Sequence, residues 1–161
     1  MSKGKIDLVC FDLGRVLMRI CDGWEHACEV AGIAPPAKPF DASSAMVLHD
    51  IVVRSEIGAI DLEEFAAAAG PILGLSHSDV CALSNAYPLG AYPGAEELLC
   101  DLTEAGVNTA CLSNTNVNHW RIMYDASAAA YFPLHRLNWQ FASHLVAHAS
   151  RKARSMSTWN E

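Results

Sequence analysis

Positive charge is scarce in this chain. Lysine and arginine number 11 against 18 acidic residues, giving a net charge of −7 over 161 residues. No Lys/Arg cluster exceeds two or three residues, so nothing offers the basic surface that a nucleic-acid backbone demands. An anionic ligand therefore needs a local positive device, such as a metal ion or a helix N-terminus. Charged residues make up only 18% and hydrophobic residues 52%. That balance suits the packed core of one domain rather than a disordered chain.

Long apolar runs are missing too. No stretch approaches the roughly 20 residues that span a bilayer. The opening "MSKGKID" has neither the apolar core nor the small-residue cleavage site of a signal peptide. The cysteines (Cys10, Cys21, Cys28, Cys81, Cys100, Cys111) form no C-x-x-C pair and sit mostly in apolar stretches. Buried thiols of a reducing compartment are the expectation, and with them a cytoplasmic location and no membrane partner.

What is present alternates. "IDLVCF", Ile6 to Phe11, is a short apolar run that suits a buried parallel strand. Trp24 to Ala31 turns helical before "APPAKP" interrupts it. From Asp41 to Tyr87 several helix signatures follow. "SSAMVLHDIVV" has helical spacing, "DLEEFAAAA" offers Asp61 as N-cap and Gly70 as a stop, and Ser76 or Ser78 caps the next. Pro93 then opens "PGAEELLCDLTEAG", a helix ended by Gly106. "VNTACLS" reads as a second buried strand, a helix begins near Thr115, and "RLNWQFAS" offers a third strand. This is the grammar of an α/β fold with a Rossmann-like parallel sheet. The expected division is a discontinuous core, 1–19 and 88–161, around a helical insert, 20–87.

Two polar clusters stand where such sheets bind ligands, beyond the carboxyl ends of the strands. Asp12 follows the first strand, in "FDLGRVL". Ser113-Asn114-Thr115-Asn116 follows the second. Singly, each is also ordinary turn or cap composition. Together, on neighbouring strands, they would share one crevice. A carboxylate there can attack phosphorus, with a cation such as Mg²⁺ offsetting the repulsion between two anions.

"FDLGRVL" and "LSNTN", separated by a helical insert, resemble the haloacid dehalogenase (HAD) superfamily of phosphohydrolases. The similarity is greatest to the branch containing α-D-glucose-1-phosphate phosphatase-like enzymes, supported by "GAIDLEEF" and "YPGAEELLCDLTEAG". The resemblance implies Asp12 as nucleophile and Mg²⁺ ligand, the Gly14 carbonyl as a second ligand, and Ser113 with the Asn114 amide on phosphate. It implies a small helical cap over the site and a small phosphorylated metabolite, such as a sugar phosphate, as substrate. Gly14 stands where most of the superfamily has the general acid. A sugar hemiacetal oxygen leaves readily, so such a substrate tolerates that loss.

The C-terminal stretch departs from the family pattern. Ser143 to Ala147 fits its Ser-x-x-x-Gly, but Arg151 and Lys152 come two residues later than the family's Arg-Lys, with no Pro behind them. A frame displaced by two bases can read Arg-Lys-Pro-Glu at the family spacing. The segment from about His148 is therefore expected to be an out-of-frame tail, the other reading being a natural short protein with an unrelated C-terminus. Lys152 is kept as a phosphate-binding candidate through a rearranged tail. No acidic pair follows Asp125 to complete the metal site. The family's last strands lie beside the first, so an exposed sheet edge and self-association through it are expected. Three functional readings stand: a phosphatase, an inactive remnant or interaction module, and a receiver-type phospho-acceptor. For the last, "VCFDLG" offers no adjacent acidic pair. His135, His144 and His148 lack the Glu of an H-E-x-x-H zinc motif, and Trp24, Trp120 and Trp139 read as packing residues.

Overall fold

A computed structural model describes residues 6–35 and 41–147. The architecture is α/β. Three strands, β1 (Leu8–Phe11), β4 (Asn108–Ser113) and β5 (Trp139–Ala142), form a parallel sheet in the order β1-β4-β5. Leu8 to Phe11 pair with Asn108 to Cys111, and Ala110 to Ser113 pair with Trp139 to Ala142. Parallel neighbours need long crossovers. Between β4 and β5 the chain supplies α6 (Val117–Tyr124) and a 3-10 turn at Leu134–Arg136. β4 is fed by α5 (Ala95–Glu104), which begins two residues after Pro93 and buries Ala95 and Leu99. The core beside the sheet joins these to Leu13, Leu17, Met18, Cys111, Trp120, Phe132 and Leu134.

A second, antiparallel pair was not foreseen. β2 (Met18–Ile20) runs against β3 (Pro88–Ala91), and the Cys21 amide continues the contact to the Tyr87 carbonyl at 3.0 Å. From this ladder the chain departs and returns. In between lie α1 (Trp24–Ala31), α2 (Ala42–Glu56), α3 (Leu62–Leu73) and α4 (His77–Ala86). They carry an apolar cluster of their own, including Leu48, Ile51, Phe65, Ala69, Leu73 and Val80. α3 opens on a full capping box, with Asp61 accepting from the Glu64 amide and Glu64 from the Asp61 amide. α4 is capped by Ser76, which accepts from the Asp79 amide. Gly70 is not the stop expected of it. The helix runs on through Pro71 to Leu73 and ends at Gly74, which takes the left-handed conformation (φ 64°) that favours glycine. Gly70 instead serves a close approach, since a Cβ there would sit 3.1 Å from the Leu75 carbonyl oxygen.

Other expectations need correction. Cys21, Cys28 and Cys111 are buried, but Cys10 is exposed on β1. Trp120 packs in the core, whereas Trp139 is half exposed. Residues 143–147 are helical, so the third strand stops at Ala142, before the Ser143 that closes "RLNWQFAS". Among the described residues β1 pairs only with β4, leaving its other edge open, and no helix is long and apolar enough to cross a membrane.

Candidate active site

Asp12 emerges at the carboxyl end of β1, where the chain turns sharply. The Leu13 carbonyl accepts from the amides of Val16, Leu17 and Met18, at 3.2, 3.0 and 2.7 Å. Leu13, Leu17 and Met18 are buried beneath this turn, so an apolar anchor fixes the backbone that carries the carboxylate. The Leu13 amide donates to Asp12 Oδ1 at 2.7 Å, which orients one carboxylate oxygen. Gly14 and Met18 form a bridge whose two hydrogen bonds use the Leu13 and Met18 carbonyls and leave that of Gly14 out.

The second cluster sits beside it. Phe11 is opposite Cys111 in the parallel ladder, so Asp12 and Ser113-Asn114 leave adjacent strand ends side by side. Ser113 is buried and Asn114 exposed. The loop behind them is tightly held. The Thr115 amide donates to Ser143 Oγ at 3.0 Å, Ser143 Oγ donates to the Glu56 carbonyl at 2.6 Å, and His144 Nδ1 donates to the Thr115 carbonyl at 2.8 Å. Asn116 caps α6 by accepting from the His119 amide at 2.8 Å.

One cavity of about 990 Å³ takes in Asp12, Gly14 and Ser113 to Asn116. Its floor is Phe11 to Gly14 and Leu112 to Asn116. Its far wall comes from the helices, with Trp24, Leu48, Val52 and Phe65 apolar and His49 and Glu56 titratable. Burial, only partly countered by His49, pushes the Glu56 carboxyl up from its ordinary value. His119 lines the same space. Its Nε2 lies 2.9 Å from the Ser84 carbonyl and must donate there, while burial holds its pKa down to about 4. The imidazole stacks on Tyr87 at 5.8 Å between centroids and is neutral at pH 7. Among the described residues, no lysine or arginine lines the cavity. Arg15 turns its guanidinium elsewhere, to the Cys21 and Asp22 carbonyls.

The donors fit a hard cation. The Asp12 carboxylate and the carbonyl-bearing Gly14 are oxygen donors on one wall, and Mg²⁺ is commonly held by only one or two carboxylates with several waters retained. Glu56 is the second carboxylate of the cavity. Asp12, Gly14, Ser113 and Asn114 are thus brought together, while Lys152 and His148 lie outside the described residues. His135 is exposed, and His144 is committed to Thr115 and packs edge-on against Trp120. Glu56, His49 and His119 were missed by sequence reasoning. A signal existed for the first two. Ala45, Leu48, His49, Val52 and Glu56 recur at helical spacing, so one stripe of α2 carries two titratable groups into the cavity.

No family model and no curated protein matches the chain. Solved structures do. A HAD-family enzyme from Bacteroides thetaiotaomicron, in complex with magnesium and inorganic phosphate, shares 20% identity at a TM-score of 0.61. The match covers 89% of this chain and 71% of that one. Another crystal structure of the same enzyme gives a TM-score of 0.66 over 99% and 81%. A predicted HAD-like hydrolase from Porphyromonas gingivalis follows at 17% identity and 0.62, over 88% and 68%. The fold is that of HAD-family enzymes. Within this HAD-like frame, Asp12 and the Ser113 loop occupy adjacent carboxyl ends of the parallel strands.

Proposed function

We propose that the protein is a HAD-type phosphomonoester hydrolase acting on a small phosphorylated metabolite. One observation carries the reading. The Phe11–Cys111 register sets Asp12 beside Ser113 and Asn114 at the floor of a single large cavity. In this reading the Asp12 carboxylate attacks phosphorus, the ester P–O bond breaks, and the leaving oxygen takes up a proton. Water then cleaves the aspartyl-phosphate to release phosphate and restore Asp12. Ser113 and the Asn114 amide hold phosphate oxygens. Bound through Asp12 and the Gly14 carbonyl, Mg²⁺ would supply charge neutralisation for the encounter of two anions. Helices α1 to α4 form a cap whose apolar wall excludes water and selects the leaving group. A sugar 1-phosphate suits a site with glycine at position 14.

The second reading is a phosphate-binding module without turnover. It is favoured by the absence of acidic residues between Asp125 and the end of the described chain, which leaves Asp12 and Glu56 as the only carboxylates lining the cavity. The deciding experiment is magnesium-dependent hydrolysis of p-nitrophenyl phosphate by the full chain and by Asp12→Asn. Turnover that the variant abolishes supports the hydrolase. Phosphate binding with no turnover in either protein replaces it with the module, and stable phosphorylation of Asp12 without release points to a phospho-acceptor.

A further inference from the structure

Outside the cavity lining, a second group of metal-ligating side chains gathers where α3 meets α4. His77 and Cys81 stand four residues apart on one face of α4, and Glu63 faces them from the first turn of α3. His77 Nε2 lies 3.2 Å from Glu63 Oε2 and 3.3 Å from the Glu63 carbonyl, while Nδ1 lies 3.9 Å from Cys81 Sγ. A ring nitrogen, a carboxylate oxygen and the sulfur all fall within 4.8 Å of one another.

We propose that Glu63, His77 and Cys81 form a binding site for a zinc-class divalent ion that clamps α3 to α4. The ligand set argues for the metal. Thiolate, imidazole and carboxylate are zinc ligands, whereas Mg²⁺ takes oxygen alone. This site is therefore chemically distinct from the one at Asp12. The spacing argues for the geometry. Around a tetrahedral ion at the usual bond lengths, neighbouring donor atoms are about 3.5 Å apart. The 3.2 Å His77–Glu63 contact is already close to that edge. Seating the ion on one nitrogen requires only a turn of the imidazole about its Cβ–Cγ bond, and the His77 side chain is 48% exposed and free to make it. Three protein ligands leave a fourth position for water. On binding, the Cys81 thiol gives up its proton to solvent and the sulfur bonds the ion as thiolate.

The test is a titration of the reduced full-length chain with Co²⁺, followed by competition with Zn²⁺. The expected result is a sulfur-to-cobalt charge-transfer band that saturates at a single equivalent and is bleached by zinc. Cys81→Ser should abolish the band. His77→Asn should weaken zinc binding by more than the roughly 10–100-fold that loss of an outer partner typically costs. Glu63→Gln, which preserves shape and the α3 cap, should weaken binding while keeping the band, and so serves even if the cysteine variant unfolds. Cys10→Ser removes the exposed thiol on β1 and should change nothing. Absence of the band in the parent chain overturns the proposal, as does a band retained in Cys81→Ser or lost in Cys10→Ser.

Discussion

His119 and Ser84 join two elements that are 35 residues apart in sequence. The imidazole Nε2 of α6 donates to the carbonyl oxygen of α4 at 2.9 Å. Asn116 Nδ2, 3.4 Å from Nδ1, completes the neutral tautomer. Burial holds the pKa down to about 4 in the folded chain, against an ordinary value near 6.5. The unfolded chain therefore binds more protons between those values, and stability falls as pH drops through the window. The contribution is complete above about pH 6.5 and amounts to at most about 3 kcal/mol, since the ring is only partly buried. Urea unfolding from pH 7 to 4 should show this slope, and His119→Gln should flatten it. Glu56, shifted upward, acts in the opposite sense, so the comparison is between parent and variant. Equal slopes in the two proteins would sink the assignment.

Gly14 can be given a side chain. Its φ is not in the left-handed range, and a Cβ there meets only the tip of Ile20 at 3.3 Å. Gly14→Asp places a carboxyl two residues beyond the proposed nucleophile. If the chain is a hydrolase, this variant should speed turnover of alkyl phosphates, which need a protonated leaving group, by about 10²–10⁴-fold. Sugar 1-phosphates should gain less. A uniform effect across both substrate types would count against glycine's role in substrate choice.

The capping box of α3 predicts a stability change without any functional one. Asp61→Ala removes the acceptor of the Glu64 amide and should cost about 1 kcal/mol. Chemical denaturation reads this directly. A cost below a few tenths would mean that the helix start is held by its packing instead.

The open side of β1 predicts self-association. Leu8 is 50% exposed, and its strand pairs only with β4 among the described residues. An unpaired strand edge is a template for another. Sedimentation velocity should show species that grow with concentration, and Leu8→Lys should return them to monomer. A parent chain that stays monomeric at every concentration would remove this expectation.

The sheet was legible because parallel strands announce themselves. "IDLVCF" and "VNTACLS" are apolar on both faces, and each is followed at once by a polar cluster. Asp12, Ser113 and Asn114 stood out as candidates for that reason. The β2–β3 pair was not, because three or four residues such as "MRI" and "PLGA" carry too short a pattern to separate from loop. Gly70 misled because a glycine inside a helix marks either an end or a close approach, and only tertiary packing against Leu75 distinguishes them. The cavity's far wall stayed hidden for a different reason. Glu56 and His49 gain meaning from which face of α2 turns inward, and that depends on the other helices. Glu63, His77 and Cys81 belong to two elements, so no single stretch of sequence shows them together.

Among the described residues, the cavity's two carboxylates, Asp12 and Glu56, face no lysine or arginine, and this has a consequence for traffic into it. If the protein is the proposed hydrolase, a phosphoester arriving alone meets Asp12 and Glu56 with no lysine or arginine among the described lining residues, so like charges repel. An anion accompanied by a divalent cation presents little net charge and enters without that barrier. In the proposed hydrolase the cation would then decide admission as well as chemistry. Binding should be ordered, with affinity for the phosphoester rising steeply as magnesium is raised and almost vanishing in chelator. In the proposed hydrolase the counter-ion would stand in for the basic side chains that the described cavity wall does not carry.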